Sequence, residues 1–129
     1  MRLLVMLAAA AAATTAAPSA GPVTLAEVDV PRNHGPQQVV VQTREFAGHA
    51  ASGWHRHPGI EIATVTDGEI ALHTATGVLR LQQGESFTVP RGAAHNGVNP
   101  AGTAAALVIT LVVDKGKPLR EPVPAPSSP

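Results

Sequence analysis

His55 and His57 stand two residues apart, Glu61 follows four residues after His57, and His95 lies further along the chain. On a β-strand alternate side chains point to the same face, so His55 and His57 would project together into an interior while Arg56 turns away. Pro58-Gly59 reads as a turn that brings in the next strand, so that Glu61 faces the same interior. His95 arrives after a second Pro/Gly turn, Pro90-Arg91-Gly92. Three imidazoles and one carboxylate converging in a pocket form a mixed nitrogen and oxygen site for one divalent transition metal ion, with Mn, Fe, Ni, Co or Zn all compatible. A single histidine could simply fill a core. Three polar rings and an acid would be costly to bury without a shared partner, and a metal supplies that partner.

The elements that must position these residues read as strands throughout, with no helical periodicity of useful length. Short runs rich in Val, Ile, Thr and Leu predict strands at Val23 to Val30, Gln38 to Glu45, Glu61 to Thr66, Glu69 to Thr74, Val78 to Leu81, Ser86 to Val89 and Ala104 to Val113. Asp67-Gly68 and Ala75 to Gly77 read as hairpin connections, and Gln82-Gln83-Gly84 as a further turn. Many short strands at near-regular spacing predict an all-β fold, an antiparallel sandwich or barrel.

The same residues resemble the two signature motifs of the cupin superfamily. The first is His55-Arg56-His57-Pro58-Gly59-Ile60-Glu61 with Gly68 beyond it, and the second runs from Gly84 through Pro90-Arg91-Gly92 to His95 and Asn99. The second matches the family spacing in full. The first departs at its leading glycine: Gly48 is one residue further from His55 than usual, and Gly53 could serve instead. The resemblance covers Phe46 to Val113, and together with the ending Lys115-Gly116-Lys117-Pro118-Leu119 the chain is similar to small exported single-cupin proteins. It implies an antiparallel jelly-roll β-barrel, metal ligands at His55, His57, Glu61 and His95, and a homodimer built by exchanged edge strands. By the same resemblance Asn99 would fix backbone rather than touch a substrate.

Around this domain the composition sets bounds. Met1-Arg2 followed by an apolar stretch from Leu3 to Ala13 and small residues up to Ala20 reads as a signal peptide over 1–20. Thr14, Thr15, Pro18 and Ser19 interrupt it well before the roughly 20 apolar residues a membrane span needs. A periplasmic or secreted location follows, with no membrane attachment after cleavage. The cupin domain is placed at 21–117, and the proline-rich stretch 118–129 reads as a disordered tail. Nine basic and nine acidic residues leave no basic face to attract nucleic acid. No cysteine is present, so neither disulfides nor thiolate ligands are available.

Three imidazoles and one carboxylate leave two positions on an octahedral ion for water, dioxygen or a chelating substrate. In the family, such sites support dioxygenases, oxalate-degrading enzymes, isomerases and lyases. The chain has no tyrosine, which argues against lyases that use a tyrosine base. No second pocket carboxylate can be named for acid–base work, although Glu61 could itself swing away and act as the base. Two readings therefore stand. One is a metal-dependent enzyme of oxygenase or related type acting on a small oxygen-rich organic compound. The other is a non-catalytic metal- or ligand-binding barrel. Trp54 and Phe46 read as core or pocket-rim residues, Arg56 as outward-facing, Arg91 as a solvated turn residue, His34, His49 and His73 as surface histidines, and Gly68, Gly84 and Gly92 as turn glycines.

Overall fold

The computed structural model describes residues 9–13, 20–32 and 34–127. Most of the leader read at 1–20 therefore lies outside the described residues. The described residues contain strands, turns and loops and no helix. Nine strands run in order: β1 (Gln37–Phe46), β2 (His55–Arg56), β3 (Gly59–Asp67), β4 (Glu69–Thr74), β5 (Gly77–Gln82), β6 (Ser86–Val89), β7 (His95–Val98), β8 (Ala105–Asp114) and β9 (Glu121–Pro122).

They form two antiparallel sheets, one in the order β1-β8-β3-β6 and the other β5-β4-β7-β2-β9. This is the jelly-roll arrangement. The inward faces follow a two-residue period. On β3, Glu61, Ala63 and Val65 are buried while Ile62 and Thr64 are less so, and on β8 Ala105, Leu107, Leu111 and Val113 are buried. Phe46, Ala63, Val65, Phe87, Val89 and Leu107 of the first sheet meet Ile70, Leu72 and Leu81 of the second in one core. Burial of these side chains is the main stabilising term for a chain without disulfides.

Glu61 thus occupies a slot in a row of otherwise apolar inward positions. Its register partners are Val89 on β6 and Leu111 on β8.

The connections depart from expectation at three places. Asp67-Gly68 does not close a hairpin: β3 and β4 belong to different sheets, and the chain crosses between them there. The β4–β5 connection is the hairpin expected at Ala75 to Gly77. Val23 to Val30 forms no strand; Val23, Leu25 and Val30 are exposed and nothing among the described residues pairs with the segment. Strand propensity alone does not make a strand without a neighbouring ladder.

The third departure concerns 118–129, whose first part is ordered. Glu121–Pro122 pairs with His55–Arg56, and the Val123 amide donates to the Trp54 carbonyl at 3.1 Å. Proline lacks an N–H, and β9 tolerates it because it is the edge strand of its sheet. Arg56 faces outward as expected and holds Glu121 through two hydrogen bonds of 2.9 Å. Both partners are exposed, so this pair sets register more than it adds stability.

Candidate metal centre

The structure brings His55, His57, Glu61 and His95 together, with their candidate ligand atoms all within 4.8 Å of one another. Strand register explains the meeting. His55 on β2 is the direct partner of His95 on β7, and the two ring centroids lie 4.2 Å apart. His57 follows immediately after β2, its ring centroid 4.9 Å from that of His55 and 5.2 Å from that of His95. Glu61 enters from the opposite sheet on β3. All four residues are buried.

Each imidazole is anchored from behind. His55 Nδ1 lies 2.7 Å from the Gly53 carbonyl, His57 Nδ1 2.5 Å from the Leu119 carbonyl, and His95 Nδ1 3.0 Å from the Ala93 carbonyl. A carbonyl only accepts, so each Nδ1 is the donor, and in a neutral ring the lone pair then sits on Nε2. The Nε2 atoms of His57 and His95 stand 2.9 and 3.0 Å from the same Glu61 oxygen, Oε2. Two imidazole lone pairs facing a carboxylate oxygen repel one another unless a cation or added protons stand among them. Carbonyl-anchored imidazoles of this kind are how proteins orient histidine ligands toward a metal. The donor set therefore fits a divalent transition metal.

Gly53 serves the first anchor. Its φ of 77° is in the left-handed region, where glycine carries no side-chain penalty, and this turn aims its carbonyl at His55. Gly48, the other candidate for the leading glycine, packs against the Gly102 backbone instead. Gly68, Gly84 and Gly92 all have positive φ, as their turn roles require.

Without a metal the charges distribute unevenly. Burial, reinforced by the charges of His95, Arg120 and His57 and only partly offset by the Gly53 carbonyl, lowers the His55 pKa to about 4. Burial also acts against the charged form of His57, but hydrogen bonds to Glu61 and the Leu119 carbonyl outweigh it and raise that pKa. Burial would raise Glu61, yet the bonds from His57 and His95 hold it down to about 2. The signs give a stability profile for chelator-treated protein. His55 binds a proton more readily unfolded, so stability falls as the pH drops from 6.5 toward 4, and Glu61 adds a further loss below 4.5. His57 acts oppositely, its contribution being lost as the pH rises through its elevated pKa. The thermal midpoint of the metal-free protein should therefore peak near pH 6.5 and decline on both sides. A midpoint that rises steadily toward pH 4 would contradict these assignments.

The remaining polar residues frame the site. Asn99 is 1% exposed; its side-chain amide donates to the carbonyls of Phe46, Ala47 and Thr103, and its oxygen accepts from the Ala101 amide. It fixes backbone. Arg91 is not the solvated turn residue expected: it donates to the Pro58 carbonyl at 2.9 Å and to both oxygens of Asp114 at 3.0 Å, locking the turn between His57 and Glu61. Phe46 is buried and lines the pocket, whereas Trp54 is only partly buried. His34 and His49 are exposed, and His73 on β4 lies outside the cluster.

The cluster opens into a pocket of about 530 Å³ with apolar walls from Phe46, Leu72, Phe87, Leu107 and Leu111. Among the described residues Glu61 is its only carboxylate lining. Two cationic residues that the motif pattern passed over, Arg44 and Arg120, line it as well. Arg44 could have been found by alternation, since it lies two positions before the inward-facing Phe46 on β1.

Residues 42–113 match the Cupin domain family, more than half of the chain. The chain belongs to the cupin superfamily. Among solved structures, this cupin is similar to oxalate oxidase in complex with the substrate analogue glycolate, at 25% identity and a TM-score of 0.56, covering 61% of this chain and 44% of that one. It is also similar to a cupin domain from Bordetella pertussis Tohama I, at 31% identity and a TM-score of 0.50, covering 57% of this chain and 80% of that one. An RmlC-like cupin from Shewanella frigidimarina shares the fold at 24% identity and a TM-score of 0.55, covering 66% of this chain and 72% of the other. The matched part of this cupin thus spans less than half the length of the oxalate oxidase. No curated protein matches the chain in sequence.

Proposed function

We propose that this cupin holds one divalent transition metal ion on His55, His57, Glu61 and His95 and acts as an exported enzyme, of oxygenase or related type, on a small oxygen-rich organic compound. The observation that carries the reading is the set of three Nδ1-to-carbonyl anchors, which leave each imidazole's Nε2 lone pair free for a ligand, those of His57 and His95 turned toward one Glu61 oxygen. When bound, such a metal supplies Lewis acidity, a template for orienting substrate and, for Fe or Mn, redox chemistry. The chain's own part is to orient and to exclude water. Gly53, Ala93 and Leu119 hold the rings in place through their carbonyls, and the apolar walls keep the cluster dry on the barrel side.

The similarity to oxalate oxidase supports small oxygen-rich compounds as the substrate class, and the apolar, interrupted leader at 1–20 supports export. One observation favours the non-catalytic reading: among the described residues Glu61 is the only carboxylate lining the pocket, and it is already committed to two histidines. Oxygen uptake and product formation by Fe- and Mn-loaded protein, screened across flavonols, diketones and oxalate, separate the two. Turnover of one class supports the enzyme. A silent screen, with a bound ion whose spectrum is indifferent to added ligands, supports the binding barrel.

A further inference from the structure

Two arginines stand beside the cluster with no acid to neutralise them. Arg44 on β1 and Arg120, just before β9, line the same pocket as His55, His57, Glu61 and His95. Neither forms an ion pair among the described residues. The Arg44 guanidinium carbon lies 4.9 Å from the centre of the Phe46 ring. Arg120 Nη2 donates to the carbonyls of Ser52 and Gly53, while its Nε is buried with no partner among the described residues. Burial and the nearby Arg44 charge both lower the Arg120 pKa, so the two cations are close enough to repel.

Like charges left uncompensated on one pocket wall are unfavourable for the protein alone and favourable for an anion that enters. Glu61 cannot serve as that anion, because its Oε2 is held by His57 and His95. The donors that remain are few. Arg120 Nη2 already serves two carbonyls, Ser52 Oγ is engaged with Asn96 and the Gly97 amide, and beyond Gln42 and Thr43 the rest of the wall is apolar. That supply suits a two-oxygen carboxylate better than inorganic phosphate, whose four oxygens call for a denser set of donors.

We propose that Arg44 and Arg120 are the anion-recognising side of this pocket, and that its ligand is a small organic carboxylate whose remaining oxygen faces the histidine cluster. The placement of that second oxygen rests on the metal-dependent reading above; the arginine pair does not.

The test uses the full chain, metal-loaded and metal-free, titrated with glycolate, with its neutral isostere glycolamide, and with inorganic phosphate. Arg44 is the residue to change, because Arg120 also braces the β9 segment against Ser52. Wild-type protein should bind glycolate more tightly than glycolamide or phosphate. Arg44→Gln should weaken glycolate about ten-fold, the scale of one charge-assisted hydrogen bond, with glycolamide binding and metal content unchanged. Arg44→Lys should recover part of the loss. Equal affinity of wild-type protein for glycolate and glycolamide overturns the proposal, as does unaltered glycolate binding by Arg44→Gln. Tighter binding of phosphate overturns the carboxylate assignment. If the wild-type chain takes up no metal, the metal-dependent reading fails by itself, and the metal-free titration still decides for or against the arginines.

Discussion

His57→Ala should strip the protein of most of its bound metal, whereas His34→Ala should leave metal content unchanged. His57 is the hinge of the cluster. Its Nε2 is 2.9 Å from Glu61, its Nδ1 is tied to the Leu119 carbonyl, and its own carbonyl accepts from the Gly92 amide at 3.2 Å. Loss of a residue that merely supports a metal ligand commonly costs 10- to 100-fold in affinity. Loss of a ligand should exceed that, so a fall of more than about 100-fold is expected. His34 is exposed and is not one of the clustered residues. Metal content after dialysis, followed by competition with a chelator of known affinity, reads the difference. Equal metal in the two variants would refute the ligand assignment.

The second large effect is on folding. Gly59→Ala should destabilise the protein by about 3 kcal/mol or more, at the upper end of what overpacking costs. Gly59 opens β3 opposite Val113 of β8, and a Cβ there would stand 2.0 Å from the Val112 carbonyl oxygen and 2.6 Å from the Val113 Cα. These are backbone atoms in the middle of the sheet, so neither can rotate away. Relief would require β3 to part from β8, which would also move Glu61 away from His57 and His95. For a domain of this size the thermal midpoint should fall by about 10 °C or more. Gly102→Ala is the control: its added Cβ meets only the His49 ring at 3.6 Å, an ordinary contact. Matching midpoints for the two variants would mean that the close approach at Gly59 does not matter.

Gly59 also shows what the sequence makes legible. Pro58-Gly59 reads as a turn, and the turn is there, but the need for glycine comes from the crossing of β8, some fifty residues away in the chain. Local periodicity foretold that His55 and His57 share a face. Their meeting with His95 depends on a β2–β7 register that only the second motif hinted at. The all-β class and most strands followed from alternation, because the inward faces repeat every two residues. Asp67-Gly68 marked a turn but could not say which strand came next to which, and it proved to be a crossing between sheets.

The tail shows the opposite failure. Five prolines in Pro118 to Pro129 argue against a ladder, yet two residues on an edge need few backbone donors, and β9 forms. This short pairing keeps Leu119 and Arg120 at the site, the one as an anchor for His57 and the other as a pocket wall. Arg44 went unread for a different reason. A charged residue on a strand is ordinarily solvent-facing, whereas Arg44 shares the alternation of the inward-facing Phe46 and lines the pocket.

His55, His57, Glu61 and His95 are proposed to hold a metal. Elemental analysis of the wild-type protein, purified without chelators and without a metal-affinity step, tests it most directly, paired with thermal unfolding before and after metal addition. One transition-metal ion per chain is expected. At an ion concentration about 100 times its dissociation constant, binding should add about 2.7 kcal/mol to stability and raise the thermal midpoint accordingly. A protein that carries no stoichiometric metal and whose midpoint is unmoved by Mn, Fe, Ni, Co or Zn would contradict the account.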